Sequence, residues 1–260
     1  MKISCTALLT LLLVSAACSP AVDAQRAVTS TTDTLNFPAP DRPVSSIVAP
    51  RWTGEDLRDR FGEAAKVIAL AGARDGMTVV DIGAGDGYYV VRLSAIVGRN
   101  GKVIGEDIMP TYLDLLRARV KTEKLQNVEV VQGTPDDPML PARSIDAAFM
   151  IHMYHEISRP YELLWHLSAA MKPSATLAIL DQDGPTDRHG TPPMLLRCEL
   201  GVLGYEQTTK TILDDGAYVV LFRAPNEPVA PSTVRERLAK GACKQRNQLS
   251  SADRTTTAVP

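Results

Sequence analysis

The chain has no surplus of basic residues, because 28 Lys and Arg are balanced by 30 Asp and Glu over 260 residues, for a formal net charge of −2. Proteins that bind nucleic acid through its phosphate backbone usually carry a positive surplus, so this composition argues against a nucleic-acid partner. The apolar run Ala7 to Val14 is also shorter than the about 20 residues that a permanent transmembrane helix needs. These two absences disfavour a nucleic-acid enzyme and a spanning membrane helix.

Cysteine and histidine are both scarce, with four of each in the chain. Two of the cysteines lie in the N-terminal region, which leaves Cys198 and Cys243 for the rest. An oxidising compartment would permit a disulfide between them, but the presence of the pair does not establish one.

The N-terminus has the plan of a bacterial export signal. Lys2 precedes the apolar run, and Ser15-Ala16-Ala17-Cys18 follows it. Small residues before Cys18 predict a lipoprotein whose first residue is the acylated Cys18, while cleavage after Ala24 would give a soluble secreted protein. We therefore expect an exported protein, periplasmic or membrane-anchored, whose only membrane contact would be that lipid anchor.

A glycine-rich turn follows the first predicted strand. The apolar run Met77 to Val80 leads into Asp81-Ile82-Gly83-Ala84-Gly85-Asp86-Gly87, in which the glycines are spaced two apart. Glycine tolerates positive φ and has no Cβ, so the backbone can approach a ligand closely. The pattern predicts a nucleotide-type ligand at Asp81, Gly83, Gly85 and Gly87.

The residue after Gly87 narrows the class of ligand. A dinucleotide fingerprint requires the pattern G-x-G-x-x-G, and its third glycine, counted from Gly83, falls at Tyr88. The acid-x-G-x-G-x-G sequence from Asp81 instead resembles the first motif of class I methyltransferases that use S-adenosylmethionine (SAM). In that family the loop faces the methionine part of the cofactor, so the resemblance implies SAM.

The second predicted strand, Lys102 to Asp107, ends in two acids. A carboxylate at this position can accept both hydroxyls of a ribose. The family's order of strand, acid and aliphatic residue resembles Asp107-Ile108. We therefore predict that Asp107 binds the ribose, with Glu106 as the alternative, and that Ile108 packs on the adenine.

The third predicted strand, Val128 to Gln132, is followed by Gly133 and a Pro-Asp turn. Many members of the family place an acid directly after this glycine to receive the adenine amino group, whereas this chain has Thr134 there. Thr134 and Asp136 are the candidates for the adenine contact, with Asp137 as an alternative to Asp136. A turn without a ligand is the other interpretation.

The segment His152 to Glu156 follows the fourth predicted strand, Ile145 to Met150. Ligands of open α/β sheets lie beyond the carboxyl ends of the strands, so this segment is predicted to border the transferred methyl group. A histidine suits the role of general base, and Glu156 could orient it. The candidate catalytic residues are His155, His152, Glu156 and Tyr154.

Two histidines three residues apart also suggest a metal, but the segment leaves a strand and no third ligand is evident, so no metal site is predicted. Packing or capping roles for His152 and His155 are a further alternative. Asp181 and Asp183, after the fifth predicted strand, are expected to line the same pocket.

From about residue 54 to 224 the pattern alternates strand and helix. One helix is predicted over Glu55 to Ala73, and another begins with Thr191 as N-cap and Pro192 as its first residue. Asp215-Gly216 indicates a tight hairpin between the last two strands. The resemblance thus implies an α/β, Rossmann-like class I methyltransferase fold, with a mostly parallel seven-stranded sheet and a C-terminal antiparallel hairpin.

The predicted organisation has four parts. Residues 1–18 are the export signal, 19–53 a polar and proline-rich tether, 54–224 the methyltransferase domain, and 225–260 a proline-rich and disordered tail with one short helix over Thr233 to Lys240.

The resemblance implies SAM-dependent methyl transfer to an unidentified small molecule. No Asn-Pro-Pro-Tyr or Asp-Pro-Pro-Tyr motif follows the fourth strand, so the chain looks like the small-molecule methyltransferases, including those of quinone biosynthesis. Phe37 to Pro43, His152 to Glu156 and His189 to Pro193 also resemble a group of exported bacterial methyltransferase-like proteins. The alternatives are an exported SAM- or nucleoside-binding module without activity and, less favoured, a nicotinamide-dependent oxidoreductase.

Overall fold

The computed structural model describes residues 35–47 and 54–243. The predicted export signal, with the predictions on Cys18 and Ala24, lies outside these ranges, as does the part of the predicted tail from residue 244 onward. Within the described residues, no helix has the length and apolar character needed to cross a membrane.

In the described part of the chain, seven strands form one sheet in the order β3-β2-β1-β4-β5-β7-β6. They are β1 (Thr78–Ile82), β2 (Lys102–Asp107), β3 (Val128–Gln132), β4 (Ile145–Ile151), β5 (Met171–Asp181), β6 (Glu206–Ile212) and β7 (Tyr218–Arg223). Strands β1 to β5 pair in parallel, and β7 pairs antiparallel with both β5 and β6. The predicted fold class is confirmed, including the closing hairpin that inserts β7 beside β5.

Helices cover both faces of this sheet. Those over residues 54–243 are α1 (Glu55–Arg60), α2 (Glu63–Ala71), α3 (Tyr88–Val97), α4 (Pro110–Thr122), α5 (Pro160–Ala170), α6 (Pro193–Val202) and α7 (Pro231–Ala239). The last four begin with proline. Proline suits a first helical position because its missing N–H would have no partner there.

Two helix boundaries differ from the prediction. The single helix expected over Glu55 to Ala73 is broken into α1 and α2 at Gly62, whose φ of +63° is not helical. Helix α6 begins at Pro193 rather than Pro192, and Thr191 makes no capping bond, because its hydroxyl donates instead to the Asp181 carboxylate at 2.6 Å.

The core lies on both faces of the sheet because adjacent strand residues point to opposite sides. Val79 and Phe149 face α2 and α3, whereas Val80 and Met150 belong to a second cluster that includes residues of α5, α6 and α7. All four side chains are buried. The parallel strands are therefore apolar on both sides, as a sheet covered by two helix layers requires.

Residues 35–47 are packed against the domain and are not the free tether that was predicted for residues 19–53. Phe37 joins the core, and the Arg42 guanidinium forms an ion pair with Glu199 of α6 at 3.1 Å, with both side chains almost fully buried. Ser45 donates its backbone N–H to the His155 carbonyl. We call residues 35–47 the strap. Their polar and proline-rich composition predicted a tether because composition does not show that Arg42 is buried against Glu199.

The start of the predicted tail is also part of the domain. Helix α7 buries Val234 and Leu238 in the core, and the chain beyond it brings Cys243 into a disulfide with Cys198 of α6. The short helix was predicted, but its packing and the disulfide depend on α6, which lies far away in sequence.

Candidate functional site

A cavity of about 320 Å³ opens beyond the carboxyl ends of the parallel strands. It lies where β1 has β2 on one side and β4 on the other. Chain connections leave in opposite directions at such a point, so a crevice forms there. The glycine loop, the end of β2 and the segment after β4 all contribute to its lining.

Two glycines of the loop form one wall of the cavity. Gly83 and Gly85 have φ of +70° and +56°, a region that favours glycine. A Cβ on Gly83 would lie 3.1 Å from Cε of Met153, another residue of the cavity lining. The loop therefore offers bare backbone to a ligand.

Gly87 does not line this cavity. It adopts a φ of +94° as the N-cap of α3, and a Cβ there would approach Leu116 Cδ1 of α4 to 2.5 Å. Its prediction as a cofactor contact is corrected to a packing role, because the third glycine lets α3 start close to α4.

Asp107 is held at the floor of the cavity by backbone donors. The Gly85 N–H donates to Oδ2 at 2.9 Å and the Met109 N–H donates to Oδ1 at 2.8 Å. These bonds, together with a backbone hydrogen bond from Ile108, orient the carboxylate. Ile108, the next residue, is half-buried and also lines the cavity.

Three buried carboxyl groups meet at this floor: Asp81, Glu106 and Asp107. Burial raises the pKa of Asp81 to about 7, with a further rise from Asp107 that Arg58 opposes. Burial and the neighbouring Asp107 raise the pKa of Glu106, and burial raises that of Asp107 against its backbone hydrogen bonds. Because crowded, desolvated carboxyls favour protons, this floor would also favour another cation.

Of the two residues predicted to contact adenine, only Thr134 lines the cavity. Thr134 lines the cavity and donates from its hydroxyl to Asp136 Oδ1 at 2.7 Å. Asp136 itself is outside the lining, because its carboxylate turns to Arg159 at 3.0 Å. The prediction for Asp136 is thereby corrected.

Tyr154 points away from the cavity and is fully buried. Its hydroxyl donates to Glu199 at 2.9 Å, and Arg42 of the strap lies over its ring. Burial and the Glu199 charge raise the pKa of this phenol far above its usual range. The prediction of a catalytic Tyr154 is wrong, because the turn after β4 directs the side chain into the core beneath α6.

His155 does line the cavity, and Asp181 rather than Glu156 orients it. The His155 Nδ1 lies 3.0 Å from Asp181 Oδ1, and both side chains are almost fully buried. Asp181 also accepts from the Gln182 N–H and the Thr191 hydroxyl. A carboxylate only accepts hydrogen bonds, so Nδ1 is the donor, and in the neutral ring Nε2 carries the lone pair.

His152 makes a separate contact, with a residue that the sequence analysis missed. Its Nε2 lies 3.2 Å from Glu63 Oε2 of α2, and Glu63 also pairs with Arg58 at 2.7 Å. Burial alone would raise the pKa of Glu63, but hydrogen bonds from His152 and Arg58 lower it to about 2. Its spacing of four residues from the buried Val67 was the available signal, since it places an acid on the buried helix face.

His189 joins His155 and Glu156 at the same end of the cavity. One ligand atom from each of the three side chains lies within 4.8 Å of the others. His189 lies in the loop between β5 and α6, with a φ of +55° and its N–H bonded to Ser45 Oγ. In the sequence His189 lies more than 30 residues from His155 and Glu156, and the fold brings the three side chains together.

Comparisons with known proteins show that the central part of the chain is similar to methyltransferases. A family model described as a methyltransferase domain matches residues 79–174, from β1 into β5. A crystal structure of a SAM-dependent methyltransferase from Aquifex aeolicus is similar with a TM-score of 0.60 and 26% identity, covering 66% of this chain and 99% of that one.

Curated relatives match a similar region. The demethylmenaquinone methyltransferase of Lactococcus lactis is 26% identical over 122 residues, which are 47% of this chain and 48% of that protein. The ubiquinone/menaquinone biosynthesis C-methyltransferase of Pseudomonas putida is 28% identical over 122 residues, or 46% and 48% of the two chains. The chain thus spans about half the length of these relatives.

Proposed function

We propose that this chain, which belongs to the class I SAM-dependent methyltransferases, transfers a methyl group from SAM to a small aromatic acceptor that carries a hydroxyl group. The observation that carries the proposal is the meeting of the cavity wall formed by Gly83 and Gly85 with Asp107 at the cavity floor. It combines bare backbone with an oriented carboxylate at the carboxyl ends of β1 and β2.

The residues of the cavity suit SAM as the cofactor. The Asp107 carboxylate lines the cavity as an acceptor for ribose hydroxyls, and Gly83 and Gly85 place no side chain between the loop backbone and a ligand. The sulfonium and amino group of SAM are cationic, which matches the buried carboxyl groups of the floor. Bound SAM supplies an electrophilic methyl group, while the chain orients the reactants and receives the acceptor.

The acceptor would occupy the end of the cavity lined by His155, Glu156 and His189. Two curated relatives carry names that refer to quinone methylation, and the reduced form of a quinone has aromatic hydroxyl groups. Such a hydroxyl becomes a good nucleophile, or activates its ring carbon, only when it loses a proton. The imidazoles and carboxylate at this end suit that task.

Calorimetry and a methyl-transfer assay test the proposal. The purified protein is titrated with SAM, its demethylated product and NAD, and then incubated with methyl-labelled SAM and a panel of quinols, catechols and phenols. We expect SAM to bind, NAD not to bind, and label to reach at least one aromatic hydroxyl compound. Binding without transfer to any acceptor would favour a SAM-binding module, and NAD binding without SAM binding would favour an oxidoreductase.

We also propose that the protein acts outside the cytosol. The proposal rests on the signal-like N-terminus, and the Cys198–Cys243 pair supports it because disulfides persist mainly in oxidising compartments. Fractionation of cells into cytosol, periplasm and membrane tests it, with labelled palmitate to detect acylation at Cys18. Recovery in the cytosol alone would contradict it.

Asp107→Ala should weaken SAM binding about 10- to 100-fold. The substitution removes a charged acceptor for the ribose hydroxyls, and a hydrogen bond to a charged group contributes about 1.5–3 kcal/mol. Calorimetry of the purified variant measures the change. Asp114→Ala is the matched control, because Asp114 is an exposed acid of α4 that pairs with Arg117. Equal SAM affinities in the two variants would mean that Asp107 does not bind the cofactor.

SAM affinity should rise about tenfold between pH 6 and pH 8. The free protein holds a proton on Asp81 below its pKa of about 7, and a nearby cation prefers the ionised carboxylate, so binding releases that proton at low pH. Arg58 and Asp107 both act on the Asp81 carboxyl, and the positive Arg58 lowers its pKa whereas the negative Asp107 raises it. Calorimetry across this range should show the dependence flattened in Asp81→Asn; an unchanged slope would assign it to another group.

A further inference from the structure

We propose that His155, Glu156 and His189 bind a divalent transition-metal ion of the zinc type at the acceptor end of the cavity. One ligand atom of each side chain lies within 4.8 Å of the other two. Ligands of one tetrahedral zinc ion lie about 3.4 Å apart, from bond lengths of about 2.0–2.1 Å. Small side-chain rotations would therefore bring the three atoms onto one ion.

The state of His155 is the strongest observation. Its Nε2 is buried and has no hydrogen-bond partner among the described residues, although the side chain is only 2% exposed. A buried nitrogen without a partner is costly unless something binds it. The lone pair on Nε2 is available because Nδ1 donates to Asp181.

The surroundings of His155 are those of a metal ligand. Histidines that bind metals usually donate their second ring N–H to a carboxylate, which fixes the tautomer and the ring orientation. Asp181 plays this part, and it is itself held by the Thr191 hydroxyl at 2.6 Å and by the Gln182 N–H at 2.8 Å. The strap supports a second ligand, His189, because Ser45 Oγ accepts a hydrogen bond from the His189 N–H at 3.2 Å.

The ligand set indicates which ions would bind. Two imidazoles and one carboxylate suit zinc and other first-row transition metals, whereas magnesium and calcium prefer oxygen ligands alone. Three protein ligands leave a fourth position for an outside oxygen, and the three side chains line the cavity. The site would thus be of the open type that binds substrate rather than of the closed, structural type.

The role of the ion deepens the proposed function and rests on it. A hydroxyl bound at the fourth position would lose its proton to solvent near neutral pH. The electron pair of the ionised acceptor would then form the new bond to the methyl carbon, while the electrons of the broken carbon–sulfur bond stay on the sulfur. The acceptor class is accordingly an aromatic hydroxyl compound that can coordinate a metal.

Metal titration of the purified full chain tests the site without using activity. After treatment with EDTA and dialysis, Zn²⁺ alone is added in a calorimeter, and Co²⁺ is added to record its visible absorption bands. We expect one equivalent to bind, with bands typical of four- or five-coordinate cobalt. Mg²⁺ should neither bind at comparable concentration nor displace the cobalt.

Variants assign the ligands. His189→Gln and Glu156→Gln should each weaken Zn²⁺ binding at least about tenfold, and Asp181→Asn should weaken it about 10- to 100-fold through His155. His166→Gln is the control, since His166 lies on α5 outside the cavity lining and is partly exposed. Thermal unfolding checks that each variant is folded. His189 and Glu156 are only half-buried, so their variants test the metal site without a substitution at the buried His155.

The outcomes separate this inference from the proposed function. SAM binding without stoichiometric Zn²⁺ binding would overturn the metal site and leave the methyltransferase proposal intact. Zn²⁺ binding that the His189 and Glu156 variants do not weaken would also overturn it. Zn²⁺ binding lost in these variants, in a protein that never binds SAM, would support the site and contradict the proposed function.

Discussion

Gly85→Val is expected to abolish SAM binding, with a loss of affinity above about 100-fold. Gly85 has a φ of +56°, which a β-branched residue rarely adopts, and it lines the cavity. The valine side chain would occupy space next to the cofactor, and the strained backbone would misplace the N–H that orients the Asp107 carboxylate. Calorimetry with SAM measures the loss.

Gly216→Val is the matched control for that experiment. Gly216 also has a positive φ, +87°, but it lies in the turn between β6 and β7, and a Cβ there would meet nothing within 4 Å. The control therefore carries a similar backbone strain away from the cavity. If both variants bound SAM like the wild type, the glycine loop would not be the cofactor site; if both lost binding equally, the effect would be one of general stability.

Arg42→Ala should lower the free energy of unfolding by about 3–5 kcal/mol, as is usual when one partner of a buried ion pair is removed. The guanidinium bonds to Glu199 and to the carbonyls of Tyr154 and Ile157, and its side chain is fully buried. Its loss leaves a carboxylate buried without its counter-charge. Urea unfolding followed by circular dichroism measures the difference.

The loss of unfolding free energy in Arg42→Ala should depend on pH. Burial already raises the pKa of Glu199, while Arg42 opposes that rise. Without Arg42 the folded-state pKa moves further above the unfolded value of about 4.3, so the variant is least stable above the raised folded pKa and recovers as pH falls towards the unfolded value. The deficit relative to wild type should therefore be smaller at pH 5 than at pH 8.

Arg223→Ala provides the comparison, because Arg223 also pairs with a glutamate, Glu206, at 3.1 Å, but both side chains are exposed. Exposed pairs contribute about 0–1 kcal/mol. A deficit in Arg42→Ala no larger than that of Arg223→Ala would show that the strap adds little to the stability of the domain.

The strands and the position of the glycine loop and Asp107 beside the cavity could be predicted because their signals are local. Bounds for β2 and β3 agree with the prediction, since each is a short apolar run that ends at a turn. Gly83, Gly85 and Asp107 were recognisable from spacing along two adjacent strands, because parallel strands end at the same edge of the sheet. The helix broken at Gly62 was harder, since an isolated glycine interrupts some helices and is tolerated in others.

The sequence by itself determined the order of strands and helices, the closing hairpin and the glycine and acid positions, all of which depend on neighbours within a few residues. Only the tertiary structure decided that Asp181 orients His155, that Tyr154 turns into the core, and that His189 completes a cluster with Glu156. The tertiary structure alone also decided that the strap packs against the domain through the buried Arg42. These contacts join residues far apart in the chain, and which side chains meet is set by how the loops beyond the sheet pack together.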